Sequence, residues 1–364
     1  MKTDPDLAAL SPRRRDALRF LGWGTLTAML PRAAPATLQF PKRAIIRTLL
    51  KDVPPPALAS GVTLFHEHLS IVLPPTGPPP ATPPPPPATS DVDLMIREVN
   101  TAGTEGVVCI VDGGHPDMGR NLDNLKRIAR NTNVHIVASG GYYMQRTYPP
   151  EIAMKSEDQI ADDLVREVYR DGLGALGEIG EAANGAELTA DERKVFRAVG
   201  KVHRRTNLPI FTHNAYGTGE NVPREAGLRQ LDVLESVGVK PESVAIGHTC
   251  CLDDPGADII KQIAKRGAFV GFDRVTGGFV TDDKKVKMVL AFLDAGYASQ
   301  LLLCSDFTGR RTAARPGYGN TVTVFLPKLR QAGVTEEVLH RITVDNPRRF
   351  LAFVPKKAHP IEGG

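Results

Sequence analysis

From Gly61 onward the chain repeats one device eight times: a short, continuously apolar run stops at a polar residue and gives way to a segment of helical periodicity. The runs are Val62 to Phe65, Val107 to Val111, His135 to Ala138, Ala175-Leu176, Pro209 to Phe211, Val244 to Ile246, Ala268 to Val270 and Leu301 to Leu303. Apolar on both faces, they suit parallel strands covered by helices, whereas a sheet wet on one side alternates. The covering helices are legible too. Thr281 stands where an N-cap is needed, ahead of a face of Val286, Val289, Leu290 and Leu293 that closes at Gly296. Thr189 to Arg205 carries Val195, Phe196, Val199 and Val202 at similar spacing, and Pro223 opens a helix with Leu228, Leu231 and Leu234 that stops at Gly238.

Strand and helix in eightfold alternation make either a closed barrel or a large open sheet. The polar residues decide. The runs lead to His66 and His68, Asp112, Tyr142, Glu178, His213, His248, Arg274 and Asp306 in turn. A barrel gathers its chemistry from the carboxyl ends of many strands around one axis, while an open sheet gathers it at a single switch point. The pattern therefore predicts an α/β fold, a (β/α)8 TIM barrel over residues 61–354, with a lead-in at 37–60 and a tail at 355–364.

Successive strand residues point to opposite faces, so His66 and His68 reach one ion together while Glu67 points away. His213, His248 and Asp306 close three further strands, and Glu178 sits on the fourth. These candidates exceed the three or so protein ligands of a single catalytic zinc. Two divalent ions are implied, with Glu178 as the bridging carboxylate of a pair spaced about 3.5–4 Å.

His66-Glu67-His68, Gly177-Glu178-Ile179-Gly180, Thr212-His213, Gly247-His248, Gly271-Phe272-Asp273-Arg274 and Ser305-Asp306 recur in order at the strand ends. In this the chain resembles the phosphotriesterase family of the amidohydrolase superfamily over residues 58–352. The resemblance implies a binuclear hydrolase, its two ions Zn2+ by expectation, of phosphotriesters, lactones or related esters. His66, His68 and Asp306 would hold the more buried ion, and His213 and His248 the more exposed one, with Glu178 shared. A bridging hydroxide would attack, and Asp306 would take the proton. Many members bridge their metals with a carboxylated lysine on the fourth strand, but Gly172 to Leu188 contains no lysine. In this the chain is similar to the phosphotriesterase homology proteins, which place a glutamate there. Glu181 competes for the role but has the opposite strand parity, which makes it a loop carboxylate by expectation. Tyr142 and Arg274 match positions that lactonase members fill with the same residues, which points to substrate binding and to a lactone or carboxylic ester. Two alternatives stand beside this reading: a barrel that binds a metal or ligand without turnover, and an amidase or deaminase of the same superfamily.

Composition limits partners. The formal charge is +4, but residues 1–36 hold six Lys/Arg against three Asp/Glu, leaving 39 against 38 in the body. That near-neutral body has no basic, aromatic-interleaved run, which excludes nucleic acid as a partner. A small-molecule ester is the expected partner, and a homodimer is allowed. Cys109, Cys250, Cys251 and Cys304 lack zinc-finger spacing and read as buried small hydrophobes.

The two ends of the lead segment read differently. Arg13-Arg14-Arg15, an apolar stretch from Ala17 to Leu30, and Ala34-Pro35-Ala36 follow the order of a twin-arginine export signal over residues 1–36, which implies a periplasmic or secreted protein. A cytoplasmic protein with an amphipathic N-terminal helix is the alternative. No segment approaches the length of a membrane span. Between Pro74 and Pro87 ten prolines fall in fourteen residues, a stiff insertion over 74–88 that cannot donate ladder hydrogen bonds.

Overall fold

The computed structural model describes residues 38–74, 84–181 and 187–357. The expected export signal and residues 75–83 of the Pro-rich insertion lie outside them. A compact unit begins at Phe40. It opens with a two-stranded antiparallel hairpin, β1 (Ile46–Arg47) and β2 (Asp52–Val53).

Eight parallel strands then follow in sequential order: β3 (Val62–Glu67), β4 (Val107–Asp112), β5 (His135–Gly140), β6 (Ala175–Gly180), β7 (Ile210–His213), β8 (Val244–Ile246), β9 (Phe269–Phe272) and β10 (Leu301–Leu303). Each corresponds to one of the eight apolar runs. β6 is longer than its run, so Glu178 lies within the strand, and β9 begins one residue late and runs to Phe272. The interior is buried throughout, with Leu64, Ile110, Val137, Leu176, Phe211, Ile246, Val270 and Leu302 fully or nearly fully enclosed.

The outer layer contains α1 (Val92–Thr104), α2 (Leu122–Arg130), α3 (Glu151–Met154), α4 (Glu157–Asp171), α5 (Ala190–Thr206), α6 (Ala226–Glu235), α7 (Asp258–Lys265) and α8 (Asp282–Asp294). Capping boxes start α4 (Ser156 with Gln159) and α5 (Thr189 with Glu192), satisfying amides that a helix start leaves open. The α5 face is the expected one. On α8 the buried positions are Lys285, Met288, Val289 and Phe292, so the inward stripe is rotated by one residue from the expected face. Lys285 occupies a core position because its ammonium donates to the carbonyls of Arg274, at 2.7 Å, and Gly277.

First and last strands meet at a seam with little main-chain pairing, an isolated bridge joining His68 to Thr308. Glu67 fills the gap. It does point away from His66 and His68, yet it is fully buried, and its carboxylate accepts the amides of Ser305 at 2.8 Å and Phe307 at 2.6 Å. The His68 amide donates to Phe307 O at 3.1 Å beside it. Burial pushes the Glu67 carboxyl well above the usual carboxylate range, against the pull of the Phe307 and Ser305 amides. Each hydrogen bond contributes roughly 0.5–1.5 kcal/mol, so one side chain does here what ladder bonds do elsewhere in the barrel.

Candidate active site

At the carboxyl ends of the strands the six expected ligands converge. They fall into two groups whose ligand atoms lie within 4.8 Å of one another: His66, His68 and Asp306 in one, Glu178, His213 and His248 in the other. His66 Nε2 approaches Glu178 Oε2 at 2.8 Å, and His68 Nε2 lies 3.5 Å from Glu178 Oε1 and 3.2 Å from Asp306 Oδ1. His248 Nε2 stands 3.9 Å from Glu178 Oε2, and the rings of His213 and His248 meet edge-on at 4.2 Å. Glu178 thus faces both groups. Glu181, its competitor, is elsewhere: its carboxylate accepts the Ala215 amide at 2.8 Å and ties the end of β6 to the turn after β7.

Backbone conformation aims two of these side chains. His248 and Asp306, just past β8 and β10, adopt left-handed conformations with φ of 52° and 47°. Such values are uncommon for residues other than glycine and cluster at functional sites. Gly217 makes the room His248 needs, since a Cβ there would come within 2.5 Å of the imidazole.

The donor set fits metal ions. His213 Nδ1 and His248 Nε2 are buried and make no hydrogen bond, and His66 Nε2 and Glu178 Oε2 have only each other, at 2.8 Å, a concentration of under-satisfied polar atoms that would be costly without a cation to satisfy them. Both carboxylates are held ionised. Burial alone would raise Glu178, but the charge of His66, with His213 and His68 behind it, brings its pKa down to about 2. Burial likewise opposes the charge on Asp306, and Arg274 more than offsets it, leaving its pKa well below the usual carboxylate range.

Asp273, just past β9, organises the histidines from behind. It lies 3.1 Å from His66 Nδ1 and 3.0 Å from His248 Nδ1, and it accepts the His248 amide at 2.8 and 2.9 Å. A carboxylate behind an imidazole fixes its tautomer and makes it a better ligand. Sequence reasoning carried Asp273 only as part of a motif. Cys250 supports the same corner, its sulfur accepting the Arg274 amide at 3.3 Å, and all four cysteines are buried and free.

Arg274 reaches the cluster by clamping Asp306 Oδ2, from Nη2 at 2.6 Å and Nε at 3.1 Å, while Nη1 donates to Gly217 O. It also lines a cavity of about 610 Å³ with Asp306, Phe307, Arg315 and Asn320. Tyr142 is placed otherwise than expected. Its ring packs on Tyr148 at 6.1 Å, and the acids that act on its hydroxyl are led by Glu167 and Asp163 of α4. Tyr143 takes the inward place, its ring edge-on to His213 at 5.0 Å. Gly141, with a φ of 143°, turns the chain between the end of β5 and the two tyrosines.

An eight-stranded parallel barrel with such a mouth is the architecture of a metal-dependent hydrolase. The chain belongs to the phosphotriesterase family, whose sequence profile matches residues 48–351. It is 32% identical over 301 residues to the phosphotriesterase homology protein of Escherichia coli, covering 80% of this chain and 98% of that one. A solved structure of the E. coli protein, complexed with phosphate in its active site, superposes with a TM-score of 0.69 at 29% identity, over 80% of this chain and 99% of that one. The chain is 29% identical to an aryldialkylphosphatase of Saccharolobus solfataricus, over 80% of this chain and 95% of that protein. It is 26% identical to an N-acetyltaurine hydrolase of Bos taurus, over 72% of this chain and 78% of that one.

Proposed function

We propose that this chain is a binuclear metal-dependent hydrolase of an ester-type bond, a lactone or carboxylic ester before a phosphotriester. The observation that carries the reading is the pair of three-residue groups, with Glu178 facing both. Divalent ions held there, Zn2+ by expectation, would supply a Lewis acid and lower the pKa of a water toward 7. The chain's own residues do the rest. Arg274 holds Oδ2 of Asp306 and leaves Oδ1 turned toward His68 and the ligand group, so the carboxylate is positioned to face an ion and to take a proton from the attacking water. Tyr143 walls the cluster on the His213 side, and the cavity beside Asp306 admits the substrate.

A second reading, an amide as the scissile bond, has one specific support, the likeness to the N-acetyltaurine hydrolase. The discriminating experiment is hydrolysis of an aryl ester, an acyl lactone, an aryl phosphotriester and an N-acyl amide by metal-loaded protein, with His66→Ala as blank. Ester or lactone turnover absent from the blank is the expected result. Turnover of the amide alone selects the second reading, and no turnover at full metal content rejects both.

A further inference from the structure

The cavity beside the ligand cluster is lined by four charged residues, Arg274, Asp306, Asp282 and Arg315. Three of them are matched. Arg274 clamps Asp306, and Asp282 accepts from Lys328 Nζ at 2.6 Å and from the Gly277 amide at 3.1 Å. Arg315 is different. Among the described residues no carboxylate pairs with it, and its polar contact is a single donation from Nη2 to Thr308 O at 3.2 Å.

That unmatched cation is nevertheless held in place. Its guanidinium lies over the ring of Phe307, 4.7 Å from the centroid, and Phe307 is itself braced edge-on by the buried Tyr318 at 5.0 Å. A tight turn presents it, with the Thr312 amide donating to Arg315 O at 2.8 Å and the Arg315 amide to Thr312 O at 3.1 Å. The loop before the turn is anchored by Arg311, which pairs with Glu98 of α1 and with Glu105 just past its end, each at 3.0 Å. A long, flexible side chain normally loses rotamer entropy when a ligand fixes it, and here the stacking and the turn have met that cost in advance. A positioned cation with spare donors, on the wall of a cavity that Asp306 also lines, is a receptor for an anion.

We propose that Arg315 determines specificity, selecting substrates that carry an acidic group remote from the scissile bond. The group would bind at Arg315 while the bond lies at Asp306. This rests on the hydrolase reading above for the bond, though the anion site stands on the cavity.

The test compares 4-nitrophenyl hemiglutarate with its methyl ester, which share a scissile bond and differ in the remote charge. Metal-loaded wild type is expected to prefer the acid about tenfold in kcat/KM, through KM. Arg315→Gln should abolish that preference and leave kcat on the neutral ester within about twofold, while Arg315→Lys should restore part of it. Calorimetric binding of N-phenylglutaramic acid and its methyl ester provides a readout independent of turnover. Tighter binding of the acid in wild type and equal binding in Arg315→Gln supports the site even if neither ester is cleaved, a result that would count against the hydrolase reading alone. Turnover of both esters without charge preference, or a preference that survives in Arg315→Gln, overturns the proposal.

Discussion

The guanidinium of Arg274 grips one oxygen of Asp306, Oδ2 at 2.6 Å, while the other, Oδ1, faces His68 at 3.2 Å. The two oxygens of one carboxylate are thereby given different work. Removing the clamp should free Asp306 to rotate without removing a ligand. Arg274→Gln is expected to lower kcat about 10–100-fold, less than the roughly 100–10,000-fold contribution of a positioned acid or base because Asp306 itself remains, while metal content stays at the wild-type value. Asp306→Asn should lower kcat at least as far. If Asp306→Asn retains full metal and wild-type turnover, Asp306 takes no proton.

Asp273 supports two histidines at once, so its loss should be felt in metal retention before chemistry. Asp273→Asn is expected to weaken metal binding about 10–100-fold, the usual cost of losing the partner behind a liganding histidine. Titration with a competing chelator measures this directly. An unchanged affinity would mean that the backbone, through the left-handed turn at His248, orients the imidazole unaided.

At the seam between β3 and β10, Glu67→Gln keeps the shape but offers one oxygen where two amides donate. An amide group would then confront either Ser305 or Phe307. Leaving one such buried donor unsatisfied costs about 1–3 kcal/mol, and the urea midpoint should fall accordingly. Because both amides flank Asp306, metal affinity should fall with it.

Much of this was legible beforehand because barrel strands are short, doubly buried and end at the chemistry. The ligands at 66, 68, 178, 213, 248 and 306 all follow from that arrangement with the family likeness, and the structure brings all six together. What escaped depends on contacts that no local pattern encodes. Asp273 meets His66 across 207 residues of sequence. Strand parity shows that Glu67 points away from His68 but cannot show that the segment just past β10, 240 residues later, presents open amides to it. Lys285 lies off the apolar face that the spacing picks out, and only the fold supplies the two carbonyls that let its ammonium be buried. Tyr142 is singled out by family likeness alone, and no local pattern shows that its neighbour Tyr143 sets its ring against His213.

Glu181 predicts a pH dependence of stability. Burial raises its pKa from 4.5 to about 7, against the Ala215 amide that it accepts. Between those values the folded protein holds a proton that the unfolded chain has released, so stability falls as pH rises through that window and then levels off. Unfolding at pH 5 and pH 8 should show Glu181→Gln losing less stability than wild type across the interval, by on the order of 2 kcal/mol. Equal losses would place the Glu181 proton in bulk-like surroundings.

Glu178 is the ligand on which the two-ion reading turns. It lies 2.8 Å from His66 and 3.9 Å from His248, and so belongs to both histidine groups. As a carboxylate it needs no carbon dioxide to become anionic, and its pKa of about 2 keeps it charged. Protein prepared without bicarbonate should therefore bind two equivalents of divalent metal by elemental analysis, the same as protein prepared with it. Glu178→Ala should lose at least one equivalent, and activity with it, because His213 and His248 alone offer fewer than the three ligands that catalytic zinc sites use. One equivalent in the wild type, unchanged in Glu178→Ala, would make Glu178 a hydrogen-bond partner of His66 and reduce the site to a mononuclear one.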